Sequence, residues 1–188
     1  MDLKKEYVLD DVWKIENFIT DEECSIIMQD CTNEDNWFGE PGAFENGNKN
    51  VLTNETKNAL AAINSRIEKI MNTEYEVANT TFNVQRITVN SGPGGIWALP
   101  PHRDNYDISD SKYVTRGYVL YLNDNFEGGE IEYTKKEFYI KPKSKMLICH
   151  PSGEDYFHGV KRVTSGVRYM TTGFVFEKEY FDKYRLKK

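Results

Sequence analysis

From about residue 76 to residue 176 the sequence is a series of short runs rich in Val, Ile, Thr and Tyr, parted by turn residues at NSGPGG, NFEGG, KPKS and VTSG. Such runs suit a pleated, half-buried surface. No helical periodicity lies between them, so the crossover helices that a parallel sheet requires have nowhere to form. The chain is thereby restricted to an antiparallel sandwich or jelly roll. The expected strands are TTFNVQRITV, TRGYVLYLN, GEIEYT, EFYIK, KMLICH, FHGVKRV and VRYMTTGFVF.

The first 75 residues have another texture. Thr20 and Glu23 stand in capping-box register and Ile19 can pack on Cys24, which predicts a helix from about Asp21. NWFGEPGAFENGNKN has the Gly, Pro and Asn content of a loop but carries Trp37, Phe38 and Phe44, so it is a candidate lid. From Asn54 to about Met71, Leu60, Ile63, Ile67 and Ile70 fall at helical spacing and predict an amphipathic helix. The terminal EKEYFDKYRLKK reads as a short helix with a solvated face. A single domain over 1–188 is expected, with an N-terminal strand and helices in 1–75, a β core in 76–177 and a tail in 178–188.

The formal charge of −6 and pI of about 5.2 give no field that would draw the chain to phosphate backbones or anionic lipid, so neither nucleic acid nor membrane is expected as a partner. MDLKKEYVLDDVWKIENF lacks a continuous apolar stretch, and a soluble, cytoplasmic protein is the expectation. Cys24, Cys31 and Cys149 form no CxxC pair and suit buried thiols better than a disulfide framework.

Chemistry-bearing residues are few. His102 and Asp104, in PHRD, would point the same way on one extended segment. With 30 acidic residues and three histidines this spacing also arises by composition alone. Its weight comes from His158, at the head of HGVKRV, and from Arg168 ten residues later. Two imidazoles and one carboxylate form the facial set used for non-haem Fe(II), with three positions left open. A zinc site would more often add cysteine or a third histidine, and His150 is the spare one, read as structural or exposed. A buried arginine suits a dicarboxylate held through a bidentate pair.

PHRD, YVLYLNDNFEGGEIEY and KPKSKMLICHPSGEDYFHGVKRVTSGVRYMTTGF together resemble, in order and spacing, the 2-oxoglutarate- and Fe(II)-dependent dioxygenases of the prolyl 4-hydroxylase type. IENFITDEECSII is similar to that family's N-terminal strand and helix. The resemblance implies an α+β, mainly β fold, a double-stranded β-helix (jelly roll) core with N-terminal helices packed on one sheet. It implies His102, Asp104 and His158 as iron ligands, Arg168 on the distal carboxylate of 2-oxoglutarate, and Tyr121 beside it. Fe(II), 2-oxoglutarate, O2 and, as an optional reductant, ascorbate are the implied cofactors and co-substrates.

The implied activity is hydroxylation of prolyl residues in a peptide or protein. The alternatives are the same chemistry on a free amino acid or other small molecule, and a catalytically inactive jelly-roll binding module. Departures from the family pattern touch the substrate side. Thr88, Val89 or Trp97 stands where many relatives carry a tyrosine ahead of HxD, Ile131 follows GGE, and Phe174 stands where some peptidyl hydroxylases place tryptophan. Arg116, Trp97 and Phe174 are the candidate substrate contacts. The Gly-rich segment 91–97 is a second candidate lid.

Overall fold

The computed structural model describes residues 3–38, 45–47, 52–75, 77–79, 83–89, 91–105 and 113–177. The N-terminal part contains β1 (Glu6–Leu9), β2 (Val12–Ile15), α1 (Asp21–Cys31), β3 (Trp37–Phe38), β4 (Glu45–Gly47) and α2 (Asn54–Tyr75). The remainder is β5 (Val77–Asn79), β6 (Asn83–Ile87), β7 (Trp97–His102), β8 (Val114–Tyr121), β9 (Glu127–Gly128), β10 (Ile131–Tyr133), β11 (Phe138–Ile140), β12 (Leu147–Pro151), β13 (His158–Lys161), β14 (Val163–Ser165) and β15 (Arg168–Glu177).

These strands form a large sheet in the order β1-β2-β12-β8-β15-β6-β4-β3, with β5 also on β15, and a small sheet in the order β11-β10-β13-β7. β14 and β9 form a separate short pair, and the paired strands run antiparallel. The fold is the expected double-stranded β-helix with helices on one face.

Side-chain alternation divides the large sheet into two faces. Tyr118 and Leu120 of β8, Leu147 and Cys149 of β12, and Tyr169 and Val175 of β15 belong to one cluster with Ile27 of α1 and Leu60, Ile63, Ile67 and Met71 of α2. The opposite parity, Tyr121, Ile148 and Met170, meets Ile131, Tyr133 and Val160 of the small sheet. The helices thus close one face while the two sheets enclose the other. Ile63, fully buried, lies at the helix–sheet contact, where truncation to Ala would cost about 2–5 kcal/mol.

The helix start is as the capping box predicts: Glu23 N–H donates to Thr20 Oγ1 at 3.0 Å and Thr20 N–H donates to Glu23 Oε2 at 2.9 Å. Arg66 of α2 then donates to Glu23 Oε1 at 2.7 Å and to the Phe18 carbonyl at 3.0 Å, tying the two helices together. The second helix runs to Tyr75 rather than Met71, because Asn72, Thr73 and Glu74 supply neither glycine nor proline to stop it.

The expected loop after α1 contributes two short strands, and Trp37 there packs on Tyr169 with ring centroids 5.7 Å apart and donates its indole N–H to the Cys31 carbonyl. This places Trp37 on the helix side of the large sheet. Residues 39–44 of that candidate lid, and the expected terminal helix over 178–188, lie outside the described residues. All three cysteines are buried free thiols. No helix among the described residues is long and apolar enough to cross a membrane.

Candidate active site

A cavity of 330 Å³ opens between the two sheets. His102, Asp104, His158 and Arg168 all line it, and so does Phe174. His102 is the last residue of β7, and β13 pairs with it so that His158 stands directly opposite. Asp104 lies just beyond the strand end, not on it, and a bend in the chain returns its carboxylate to the histidines. Arg103 between them turns outward and donates to Glu154 at 3.3 Å.

The ligand atoms of His102, Asp104 and His158 lie within 4.8 Å of one another. Asp104 Oδ1 is 3.6 Å from His102 Nε2 and 3.9 Å from His158 Nε2. Each histidine holds its other nitrogen against a carbonyl: His102 Nδ1 is 3.0 Å from Pro100 O and His158 Nδ1 is 3.0 Å from Tyr156 O. A carbonyl can only accept, so each proton resides on Nδ1 and each Nε2 lone pair is turned toward the carboxylate. Two neutral imidazoles and one carboxylate oxygen presented in this way could hold a divalent transition metal with positions to spare.

Charge follows from the same packing. Burial, reinforced by the neighbouring His150, pushes His158 down to about 3. For Asp104, burial alone would raise the pKa, but the facing His102 and the nearby His150 and His158 bring it below its ordinary value. His102 moves the other way: burial lowers it, and contacts with Asp104 and the Pro100 carbonyl overcome this and raise it. The cluster therefore offers a carboxylate and a neutral His158 over the whole physiological range.

At another part of the cavity Arg168 is 1% exposed. Its guanidinium lies over the Tyr121 ring and donates from Nη2 to the Tyr121 hydroxyl at 3.2 Å. Among the described residues its Nε has no hydrogen-bond partner and no carboxylate pairs with it. A buried cation in this state is costly unless an anion completes it, so the arginine fits the carboxylate of a small acid. The donor set and this uncompensated arginine together match Fe(II) and 2-oxoglutarate in chemical type.

Four residues around the site had no role assigned from sequence. Asn123 brackets Arg168: its Nδ2 donates to the Val167 carbonyl at 2.8 Å and its Oδ1 accepts from Tyr169 N–H at 2.8 Å. Gly129, in the left-handed region at φ 71°, leaves room for the arginine stem, since a Cβ there would meet Arg168 Cδ at 3.1 Å. Gly117 leaves room for Asp104, whose Oδ2 would lie 2.3 Å from an added Cβ. His150 is buried against the cluster rather than exposed. A glycine inside a strand signals close approach, which is how Gly117 could have been found.

Two expected substrate contacts lie elsewhere. Arg116 has the opposite parity to Gly117 on β8 and donates to the Asp11 carbonyl at 3.0 Å, away from the cavity. Trp97 packs under Lys161, whose Nζ is 4.1 Å from the ring centroid, and does not line the cavity. No residue of segment 91–97 lines it either. Thr88 hydrogen-bonds within its own turn to Ser91, and it is Gln85, two strand positions before Ile87, that faces the cavity.

The family model for the 2OG-Fe(II) oxygenase superfamily matches residues 84–176, from within β6 to within β15. Residues 84–176 of this chain belong to the 2OG-Fe(II) oxygenase superfamily. The superfamily is defined by Fe(II) and 2-oxoglutarate, the pair that the donor set and Arg168 match.

Among curated proteins, prolyl 3-hydroxylase 2 of Homo sapiens is 44% identical over 63 residues, 30% of this chain and 9% of that protein. Prolyl 3-hydroxylase 3 of Homo sapiens is 33% identical over 82 residues, 40% of this chain and 10% of that protein. The matches thus span about a tenth of the length of these relatives.

In fold, the chain is similar to the viral collagen prolyl hydroxylase from Paramecium Bursaria Chlorella virus-1, with TM-score 0.63, 19% identity, and 90% and 98% of the two chains covered. It is also similar to a Trichoplax adhaerens prolyl hydroxylase solved in complex with a hypoxia inducible factor peptide fragment, with TM-score 0.66, 17% identity, and 92% and 86% covered.

Proposed function

We propose that this superfamily member is a prolyl hydroxylase, an Fe(II)- and 2-oxoglutarate-dependent dioxygenase acting on prolyl residues in a peptide or protein. The observation that carries this is the shared cavity: a His-Asp-His cluster and a buried arginine that no carboxylate among the described residues pairs with open into one 330 Å³ space. His102, Asp104 and His158 would hold the metal through Nε2, Oδ1 and Nε2. Arg168, steadied by Tyr121, would grip the far carboxylate of 2-oxoglutarate. Bound Fe(II) supplies oxygen activation, coupling decarboxylation of 2-oxoglutarate to succinate and CO2 with insertion of one oxygen atom into a substrate C–H bond.

The chain's own part is positioning and exclusion of water. Phe174, 40% exposed, lies on the cavity-facing side of β15 two positions from Thr172, whose hydroxyl donates to Gln85 Oε1 at 2.9 Å. An exposed aromatic ring beside an amide–hydroxyl pair suits an apolar ring in a polar backbone, which is what a prolyl residue in a chain offers. The names of the curated relatives, and the peptide bound to the Trichoplax protein, favour a peptidyl prolyl substrate over a free amino acid.

The test is incubation of the protein with Fe(II), 2-oxoglutarate, ascorbate and air against a set of Pro-containing peptides and free amino acids. Succinate should form in step with a product heavier by one oxygen atom on proline in a peptide. A product on free amino acids alone would replace the peptide reading. No succinate from any substrate would leave a binding module.

A further inference from the structure

We infer that His150 is a positioning residue that holds the second oxygen of Asp104, and through it the metal-facing oxygen, an inference that rests on the proposed metal role of the triad. The cavity contains three imidazoles, and only two have Nε2 turned toward Asp104 Oδ1. The third, His150, is 1% exposed, and its Nδ1 is 3.9 Å from Asp104 Oδ2. One carboxylate oxygen thus faces His102 and His158 while the other faces His150 and the bare Cα of Gly117.

Register produces this slot. β12 and β8 pair so that His150 stands opposite Gly117, both on the cavity face of the large sheet. A side chain at 117 would occupy the place that Oδ2 takes. His150 itself is fixed on several sides: its ring packs edge-on to His158 with centroids 4.3 Å apart and to Tyr133 at 5.6 Å, and its Nδ1 lies 3.2 Å from the Pro151 carbonyl.

That carbonyl can only accept, so the Nδ1 proton is present and is donated to it, while the polarised edge of the ring at Nδ1 lies 3.9 Å from Oδ2 without a hydrogen bond between them. The polarised edge of a neutral ring favours the carboxylate without placing a second cation beside a metal ion. Groups that orient a ligand from behind commonly change metal affinity by about 10–100-fold when removed. An apolar ring at this position would fill the volume and remove the dipole.

The experiment is anaerobic titration of the whole protein with Fe(II) against a chelating competitor, comparing wild type, His150→Phe, His150→Asn and His102→Ala. It is read together with the Fe(II)–2-oxoglutarate charge-transfer band and the melting temperature without metal. His150→Asn places an amide N–H close to where Nδ1–H stood. Expected are Fe(II) binding about tenfold or more weaker in His150→Phe, recovery of most of it in His150→Asn, and a 2-oxoglutarate requirement within about twofold of wild type at saturating Fe(II).

Unchanged Fe(II) affinity in His150→Phe, with wild type binding and His102→Ala not, overturns the inference and leaves the proposed function standing. Equal weakening in both His150 variants with a lowered melting temperature also overturns it, since packing alone would then explain the loss. Failure of the wild type to bind Fe(II) overturns the triad reading itself.

Discussion

Arg168 allows the most quantitative test. Replacing it with Met keeps an unbranched stem in a site 1% exposed and removes the charge. Hydrogen bonds to a charged group contribute about 1.5–3 kcal/mol each, and with no solvent to screen them two bonds to one carboxylate come to about 3 kcal/mol at the low end. That is roughly a hundredfold in the 2-oxoglutarate dissociation constant.

Ligand at one hundred times the wild-type dissociation constant stabilises wild type by about 2.7 kcal/mol, and the same concentration stabilises Arg168→Met by about 0.4 kcal/mol. In a domain of this size the shift in melting temperature falls from about 5–11 °C to about 1 °C. The assay is thermal unfolding under argon with Fe(II), with and without 2-oxoglutarate, beside an Fe(II) titration of the same variant. Without ligand, Arg168→Met should melt no lower than wild type, because an uncompensated buried cation has been removed. A retained full shift, or an equal loss of Fe(II) affinity, refutes the assignment of Arg168 to the co-substrate.

Tyr121→Phe removes the hydroxyl that accepts a hydrogen bond from the charged Arg168 and should raise the 2-oxoglutarate requirement about tenfold, by about 1.5 kcal/mol at the low end; an unchanged requirement in a titration returns Tyr121 to a packing role. Gly117→Ala should weaken Fe(II) binding because its Cβ meets Asp104 Oδ2, whereas Gly173→Ala, whose Cβ would meet the Tyr118 hydroxyl at 2.1 Å on the helix side, should lower the melting temperature instead; the reverse pattern would refute the geometry.

His158 titrates at about 3 when folded against an ordinary 6.5, so the stability it confers is complete above pH 6.5 and declines as the pH falls toward 3. His102, with its raised value, opposes this. Metal-free His158→Gln should therefore lose less stability than wild type between pH 7 and 5 in denaturant titrations, and an identical slope would refute the shift.

The sequence made the strand series, the helix start at Thr20 and the helical stripe from Leu60 to Ile70 legible because each rests on local periodicity or local hydrogen bonding. The cavity residues are less local. The HxD spacing puts His102 and Asp104 on one side of an extended segment, yet β7 ends at His102 and the bend after it, received by Gly117, brings the carboxylate round. That reception depends on the pairing of β8 with neighbours distant in sequence.

Arg116 shows the same limit. It is one position from Gly117, and the parity that sends it to the other face comes from sheet register that no single strand encodes. His150 was unreadable for the same reason, since its burial follows from the glycine opposite. Asn123 was in view within YLN, but its bonds on both sides of Arg168 join residues more than forty positions apart.

His102 and His158 belong to the small sheet, whereas Arg168 and Tyr121 belong to the large one. On the proposed reading a dicarboxylate anchored at both ends is a strut across the gap, and its chain length is measured against a spacing set by apolar residues such as Ile131, Val160, Ile148 and Met170. Discrimination among diacids would then be a property of the hydrophobic filling as much as of the polar groups. Trimming that filling would retune which acid fits while leaving the polar groups that hold its two ends unchanged.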